Sequence, residues 1–434
     1  MTRVAGNAQA PFMLSDFANV MAAGYSPSSI NGTHGDPVAM VRVVILMQEN
    51  KTPDFYFPSL ASWGANIQNR GNLLTSPPLP DPPHDRNAWV HYKMGNYAPT
   101  TLQIDNDAIL PFYSWLAKQF TYCDYHFGLG TNSTPGHMLA VGGQTPTLRN
   151  PPFGTSPVWD LPTIFKHVEA GGHTWGAFTG SDLYPLRFYE ELADATSRKS
   201  IHTSTQPSDD AFTAMAASGR LPDFCFAWSP AGYDEHSPDR TANPQYVTQG
   251  HNLSWQRVDA VVKAGGWADT VFVLTWDDWG GYADHVSTPS AETVIDALHP
   301  AGFQLIGGTR IPMLMFGGQV KQGIDTRWHS HAAIPKTVID LLGLAPFGIS
   351  RVDTSASLAG RVDPKLARPV PPSLGSTVVQ PPAPNPKPPV QAPGPWGGPN
   401  AQPLPDLTAK GGAKIPAPND GVVSAKPPKL PKGL

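Results

Sequence analysis

The sequence contains little cysteine and no long hydrophobic run. Only two of its 434 residues are cysteines, Cys123 and Cys225, which is too few for a disulfide framework. Each stands among aromatic residues, which predicts a small, buried hydrophobic side chain. A disulfide between the two stays open at this point. No CxxC sequence occurs, so a zinc finger is not expected.

Three further absences concern membranes, targeting and nucleic acids. No stretch of about 18 apolar residues occurs, so we predict no transmembrane helix. The first residues lack the basic start and the continuous apolar run of a signal peptide. We therefore expect a cytoplasmic protein by default, with another export route left open. The net charge of −4 offers no basic excess, so a nucleic-acid partner is not expected.

The residues that are present predict an α/β fold. Short apolar runs alternate with segments of helical periodicity, which is typical of a mostly parallel central sheet flanked by helices. The predicted strands are Val43–Met47, Phe120–Phe127, His173–Thr179, Pro222–Trp228, Thr270–Trp276 and Ile311–Phe316. The predicted helices are Ile109–Phe120, Leu161–Ala170, Asp209–Ser218, Asn252–Ala264 and Ala332–Leu342.

Composition divides the chain into three parts. Residues 1–40 look irregular, residues 41–350 have the pattern of a folded domain, and residues 360–434 are rich in proline. The proline-rich tail buries too little apolar surface to offset its ordering entropy, so we predict disorder with polyproline II character. Within the domain, residues 59–101 form a long Pro-, Asn- and Gly-rich stretch, and loops of this length are usually functional.

The first predicted strand ends in polar residues that suit a ligand site. Glu49 and Asn50 follow the strand closely, and Pro53 prevents it from continuing. Open α/β sheets bind ligands at the carboxyl ends of their strands, and carboxylate and amide oxygens suit a hard metal cation. The alternative is that both are ordinary polar residues of a strand-to-loop junction.

Other polar clusters follow later strands or occupy Gly- and Pro-rich turns. They are His84, Ser133-Thr134-Pro135-Gly136, Asp234-Glu235-His236, Asp277-Asp278, Asp284-His285 and His329-Ser330-His331. Aspartates and histidines at strand ends are what a two-metal hydrolase needs, because bound metals neutralise a transferring phosphoryl group. Each cluster also has an ordinary explanation, such as an exposed loop histidine, a β-turn or a solvated strand end.

Taken together and in order, these segments resemble a known enzyme family. The matching stretches are VVILMQENKTPDFYF, DPPHDRNAW, NSTPGHMLAVGG, LPDFCFAWSPAGYDEHS, WADTVFVLTWDDWGGYADHV and HSHAAIPKTVIDLLGL, within residues 41–345. They resemble the bacterial phosphoesterase family of the phospholipase C and acid phosphatase type, within the alkaline phosphatase superfamily. Lys51-Thr52-Pro53 departs from the Arg/Lys-Ser-Phe that is commoner there.

The resemblance implies an alkaline-phosphatase-like core and a metal-dependent hydrolase of phosphate esters that forms a phosphoserine intermediate. Its substrate would be a phosphate-ester small molecule or a phospholipid headgroup. The implied catalytic residues are Ser133, His84 and His285; the implied substrate contacts are Asn50, Thr134 and His236; the implied metal ligands are Glu49, Asn50, Asp234, His236, Asp277, Asp278 and His331. Thr134 is the alternative nucleophile, and the choice between His329 and His331 stays open.

The cofactor and the class of function each keep an alternative. We expect one or two divalent ions: an oxygen-rich set suits Mg²⁺, Ca²⁺ or Mn²⁺, and an Asp/His set also accepts Zn²⁺ or iron. The alternative function is a catalytically inactive relative that serves as a binding module, with the proline-rich tail as its contact segment. Retention of Ser133, Asp277 and Asp278 argues against lost chemistry. The sequence does not decide the oligomeric state.

Overall fold

The computed structural model describes residues 41–75, 82–93, 97–129, 132–147, 150–151, 157–236, 246–286, 292–294, 303–305 and 307–372. The predicted irregular segment 1–40 and the tail beyond residue 372 lie outside these ranges.

The strands of the described chain are β1 (Arg42–Gln48), β2 (Leu73–Leu74), β3 (Gln103–Ile104), β4 (Thr121–Leu129), β5 (Trp175–Gly180), β6 (Ile201–Ser204), β7 (Phe224–Trp228), β8 (Thr270–Trp276), β9 (Glu292–Val294), β10 (Phe303–Leu305), β11 (Gly307–Arg310), β12 (Met313–Gly317) and β13 (Gly323–Ser330). Its α-helices are α1 (Pro53–Tyr56), α2 (Arg86–Lys93), α3 (Asn106–Ile109), α4 (Pro111–Gln119), α5 (Ser133–Gly142), α6 (Ile164–Ala170), α7 (Ala211–Ala217), α8 (Tyr246–Lys263), α9 (Ala333–Leu341) and α10 (Ser350–Asp353).

Within the described ranges, the central sheet has nine strands in the order β11-β4-β12-β8-β1-β7-β5-β6, with β13 paired to β4. Neighbours from β8 to β6 are parallel, and β13 is parallel to β4. Strand β12 is antiparallel to β8 and β4, and β11 is antiparallel to β4. The predicted α/β fold with a mostly parallel sheet is therefore confirmed.

Strand β1 lies at the centre of the core, between β7 and β8. Its residues from Val43 to Gln48 are all buried, and so is the whole of β8. A parallel strand covered on both faces must be apolar on both, which explains the continuous Val-Val-Ile-Leu-Met run. Because β8, β1 and β7 are parallel neighbours, their carboxyl ends meet at one edge of the sheet.

The predicted elements are present, with shifted ends that have local causes. The predicted helix 109–120 is α4, which begins at Pro111, whereas Ile109 ends α3; Pro111 keeps Leu110 out of the helical region. Helix α8 begins at Tyr246, six residues before the prediction. The turn predicted at Ser133-Thr134-Pro135-Gly136 is instead the first turn of α5. Residues 59–101, expected as a loop, contain α2.

Folded structure continues beyond the predicted start of the tail at residue 360. Val362 forms a bridge with Val320, and the backbone N–H of Arg368 donates to Gly318. The carbonyl oxygen of Arg368 accepts a hydrogen bond from the Trp267 indole at 3.2 Å. Residues 360–372 therefore pack on the domain.

Cys123 and Cys225 are both buried and free, as the buried hydrophobic interpretation predicted. Within the described residues, no helix is both long and apolar enough to cross a membrane.

A buried ion pair joins two outer elements of the domain and generates a stability prediction. Asp210 caps α7 and accepts hydrogen bonds from Arg257 of α8, the closest at 2.7 Å, with both side chains buried. Asp210→Asn would leave the Arg257 charge buried without its partner. We expect the free energy of unfolding, measured with urea, to fall by about 3–5 kcal/mol.

The matched control is Asp340→Asn, which breaks the more exposed pair of Asp340 with Lys336. There we expect a loss below about 1 kcal/mol. Equal effects of the two substitutions would contradict the importance of the buried pair.

Candidate functional site

The strand register brings two predicted site segments side by side. Gln48 is paired with Trp276 across β1 and β8. Glu49 and Asp277 are the next residues on the two strands and therefore lie close together. The Asp277 N–H donates to the Gln48 carbonyl at 3.1 Å, and the Glu49 N–H donates to the Asp234 carbonyl at 2.8 Å. The loops after β1, β7 and β8 therefore meet through backbone hydrogen bonds.

Asn50 lies at the centre of this junction and is fully buried. Its backbone has a φ of 65°, a left-handed conformation that asparagine tolerates better than most residues. Its N–H donates to Asp277 Oδ1 at 2.8 Å. Gly280 packs so closely that a Cβ there would lie 2.2 Å from the Asn50 carbonyl oxygen, and the Gly280 N–H donates to Asp278 Oδ1 at 2.9 Å.

The oxygen and nitrogen of the Asn50 amide can be assigned to its two ends in either order, and the two assignments require different neighbours. One end of the amide lies 2.8 Å from Asp278 Oδ1 and 3.1 Å from Asp277 Oδ1, and the other lies 2.8 Å from His236 Nε2 and 3.3 Å from His84 Nε2. With nitrogen toward the acids, the amide donates hydrogen bonds to them. With oxygen toward the acids, three oxygens converge, and only a cation between them would make this favourable.

The acids of this cluster, Glu49, Asp277 and Asp278, lack a lysine or arginine partner in the part of the chain that the structure describes. Burial raises the pKa of Glu49. Burial and the Glu49 charge raise the pKa of Asp277 to about 6, and burial and the Asp277 charge raise that of Asp278. This oxygen-rich, negatively charged donor set fits a divalent cation.

Ser133 borders the acid cluster at the N-terminus of α5. Its hydroxyl donates to Asp278 Oδ2 at 3.3 Å, and the residue is 8% exposed. The positive end of the helix dipole favours negative charge at this position. Thr134 is fully buried, and its hydroxyl is paired with the Tyr184 hydroxyl at 2.9 Å. Of the two predicted nucleophiles, the geometry therefore favours Ser133.

His84 and His236 face Asn50 from the side opposite the acids. The Trp279 indole donates to the His84 carbonyl at 2.9 Å, and His84 Nδ1 lies 2.7 Å from the Pro82 carbonyl. His236 Nδ1 lies 3.3 Å from Asp234 Oδ2. The structure thus gathers nine predicted residues: Glu49, Asn50, His84, Ser133, Thr134, Asp234, His236, Asp277 and Asp278.

His331 lies behind the end of β8 rather than among the converging oxygens. Its Nε2 lies 2.7 Å from the Trp276 carbonyl, so in the neutral ring the proton is on Nε2 and only Nδ1 could bind a metal. His329 instead contacts Asp325, at 3.3 Å, and the Ala356 carbonyl. Of the two histidines, His331 is therefore the one near the acids.

The structure does not bring His285 to the Ser133 cluster. Its Nδ1 lies 2.9 Å from Asp54 Oδ2, in a second group with Asp284 that also has metal-compatible spacing. Here, however, Arg310 pairs with Asp284 at 2.8 Å and with Asp54 at 3.3 Å, and Arg70 pairs with Asp54. The two arginines balance the two acids, so this group needs no cation.

Sequence reasoning missed His137, a buried neighbour of the acids, and named Glu235 only as part of a polar cluster, without a role. His137 lies four residues after Ser133 on α5, and its Nε2 is 2.8 Å from Glu49 Oε1; burial lowers its pKa to about 4. Predicting α5 as a helix would have revealed the shared face. The Glu235 carboxylate accepts hydrogen bonds from Tyr56, Tyr113 and Trp276, and burial raises its pKa to about 7. No local pattern predicts those distant partners.

Comparison with known proteins decides the family. A sequence model described as "Phosphoesterase family" matches residues 83–345, which include Ser133 and both acids after β8. The chain belongs to the phosphoesterase family. The resemblance stated from the sequence is thereby confirmed for more than half of the chain, and Glu49 and Asn50 precede the matched region.

Curated relatives of this phosphoesterase carry phospholipase C names. Non-specific phospholipase C3 of Arabidopsis thaliana is 26% identical over 60% of this chain, which spans 53% of that relative. Phospholipase C A of Mycobacterium tuberculosis is 23% identical over 67% of each protein. Among solved structures, an alkaline phosphatase superfamily protein of Vibrio parahaemolyticus has a TM-score of 0.41 and 14% identity, covering 75% of this chain and 74% of its own.

The close approach of α5 to β8 in this phosphoesterase generates a prediction. A Cβ on Gly136 would lie 2.3 Å from the Asp277 carbonyl oxygen, so Gly136→Ala must push α5, with Ser133, away from the acids. Although alanine favours helix formation, we expect the free energy of unfolding to fall by about 1–3 kcal/mol through overpacking. Urea denaturation would measure this. The control is Gly360→Ala, where nothing lies within 4 Å of the added methyl; a stable Gly136→Ala variant would contradict the packing.

The buried acids generate a second prediction, on pH. The unfolded chain releases the Asp277 proton above about pH 4, whereas the metal-free folded chain holds it up to about pH 6. Deprotonation therefore destabilises the folded state across this window, and a bound cation offsets that loss. We expect the rise in melting temperature caused by Mn²⁺, relative to chelator, to grow from pH 4 to pH 6.

The melting temperatures with Mn²⁺ and with chelator are compared at each pH. Buried histidines away from the acids titrate under both conditions, so their contribution to the difference largely cancels. Asp277→Asn is the control and should weaken the response to Mn²⁺. An equal response at pH 4.5 and pH 7 would show that these acids do not compete with the ion.

Proposed function

We propose that this protein hydrolyses phosphate esters with one divalent cation at the acid cluster and Ser133 as the nucleophile. The observation that carries the proposal is the Ser133 hydroxyl, 3.3 Å from Asp278 Oδ2, at the edge of three buried acids that form no ion pair with a described Lys or Arg. Membership of the phosphoesterase family supports it. We propose a single ion because the second group with suitable spacing is balanced by arginines.

The chain's own residues account for activation of the nucleophile. Glu49, Asn50, Asp277 and Asp278 would hold the cation. When bound, it supplies positive charge that stabilises the serine alkoxide and the phosphoryl group. Asp278 Oδ2 accepts the hydrogen bond of Ser133 and is placed to take its proton, and the N-terminus of α5 favours the developing charge. Attack forms the Ser133 Oγ–phosphorus bond and breaks the ester bond.

The histidines account for departure of the alcohol. His84 and His236 lie across Asn50 from the acids, and both are partly exposed, so a substrate can reach them. We assign His84 as the acid that protonates the leaving oxygen and His236 as a contact to the phosphoryl oxygens. Water then attacks the phosphorus and gives a proton to His84, the Ser133 Oγ–phosphorus bond breaks, and Asp278 returns its proton to Ser133. Phosphate or a phosphomonoester leaves.

For the substrate we propose a phospholipid headgroup diester, with a phosphate monoester as the alternative. The names of the curated relatives favour the diester. Because the chain spans only about half of the first relative, substrate preference must be measured on this chain itself.

The first test compares the wild type with Ser133→Ala on p-nitrophenyl phosphate and p-nitrophenylphosphorylcholine, before and after chelation. We expect metal-dependent turnover that drops by about a thousandfold or more in the variant, because the nucleophile is removed. Faster hydrolysis of the monoester would indicate a phosphatase, and faster hydrolysis of the phosphorylcholine diester would indicate a phospholipase C. The control is Ser218→Ala, at an exposed serine that ends α7.

Two outcomes would change the assignment. Full turnover in Ser133→Ala together with loss in Thr134→Val would move the nucleophile to Thr134. A wild type that neither binds a divalent ion nor hydrolyses either ester would favour the non-catalytic binding module.

A further inference from the structure

We propose that Trp228 and His137 form a hydrogen-bond relay that fixes Glu49, with His137 acting as a donor to this acid and not as a metal ligand. The inference rests on the proposed cation site and assigns a role to two residues outside it. Spacing alone would make His137 a metal ligand, because its ring lies within ligand distance of Glu49 and Asp277. The inference assigns it a different role.

The relay follows from which atoms can donate. The Trp228 indole N–H lies 3.0 Å from His137 Nδ1, and an indole nitrogen can only donate. His137 Nδ1 must therefore carry a lone pair, and the proton of the neutral ring sits on Nε2. That proton points at Glu49 Oε1, 2.8 Å away. Trp228 thus selects the tautomer that makes His137 a donor to Glu49.

This tautomer excludes two other roles for His137. With its proton on Nε2, the neutral ring has no lone pair there for a cation, although Asp277 Oδ2 is only 3.7 Å away. A doubly protonated ring would direct an N–H at the indole N–H of Trp228, which is repulsive. His137 is therefore held as a neutral donor.

The relay leaves one oxygen of Glu49 for the ion. Glu49 Oε1 is occupied by His137, whereas Oε2 is buried and has no hydrogen bond to the described residues; His236 Nε2, at 3.5 Å, is too far for one. A buried carboxylate oxygen without a donor is costly. We assign Oε2 as the single oxygen through which Glu49 binds the cation.

The relay also has a rigid base. Trp228 ends β7 and stacks on Phe226, with the ring centroids 4.0 Å apart and the planes 6° from parallel. His137 is fully buried and lies on α5, the helix that begins with Ser133. The relay therefore connects β7, the nucleophile helix and the ligand after β1, so the position of Ser133 depends on the same contacts as that of Glu49.

The first test measures Mn²⁺ binding to the full chain by electron paramagnetic resonance. Trp228→Phe keeps a ring that can stack on Phe226 but removes the indole donor. We expect binding weaker by about tenfold or more, the range for partners that orient a metal ligand. The matched control is Trp267→Phe. It removes an indole hydrogen bond to the carbonyl of Arg368, and neither residue belongs to the proposed cation site, so this variant should bind Mn²⁺ like the wild type.

The second test needs no substitution at Trp228. It shows whether His137 is a donor or a metal ligand even if the Trp228→Phe variant fails to fold. In protein labelled with ¹⁵N-histidine, the His137 signals are identified by their absence in His137→Gln. Zn²⁺ is added because it accepts imidazole ligands readily and is diamagnetic. We expect the His137 Nε2–H signal to persist with Zn²⁺ bound.

The outcomes separate this inference from the proposed function. Two results would overturn the relay alone. One is a Trp228→Phe variant that binds Mn²⁺ as tightly as the wild type does. The other is replacement of the His137 Nε2–H signal by that of a metal-bound nitrogen. A wild type that binds neither Mn²⁺ nor Zn²⁺ would overturn the cation site and the relay with it.

Discussion

Glu49, Asp277 and Asp278 are buried side by side, and none of them forms an ion pair with a described Lys or Arg; the register of β1 against β8 imposes this arrangement. Gln48 pairs with Trp276, so Glu49 and Asp277 leave the sheet as neighbours. A slip of one residue would turn the buried side chains of β1 to the other face. Both strands are buried, and the energy of the core thereby holds together acids that would repel each other in water.

Two acidic groups lie near the edge of the sheet, and their electrostatics differ. Asp54 and Asp284 are matched by Arg310 and Arg70, so their charge is already neutralised within the fold. Glu49, Asp277 and Asp278 have no arginine or lysine partner among the described residues, and burial raises their pKa values. Ligand-compatible spacing is common to both groups. Charge balance is what distinguishes a structural group from one that can bind a cation.

The sequence predicted the parts of the site that depend on strand ends. Acids directly after buried strands were placed correctly near one another, because parallel neighbours share an edge of the sheet. The same reasoning could not place His285, since its partner Asp54 is held by Arg310, far away in the chain. Helix α5 was missed because Pro135 and Gly136 resemble a turn. Proline is tolerated in a first helical turn, and Gly136 is required where α5 meets the Asp277 carbonyl.

A buried lysine explains how the loops are held without neutralising the acids. Lys51 Nζ donates to the Glu49 carbonyl at 2.9 Å and to the Glu235 carbonyl at 2.6 Å, which ties the loop after β1 to the loop after β7. Asn50 and Glu235, one in each loop, both have positive φ, a strained conformation that persists only where the surroundings enforce it.

The lysine charge is directed at backbone carbonyls, and it forms no ion pair with Glu49, Asp277 or Asp278 in the described chain. A lysine directed at those carboxylates would stabilise the fold more, but it would occupy the place of the proposed cation. The loops are therefore fixed through their backbone, and the charge deficit at their side chains is preserved for a ligand.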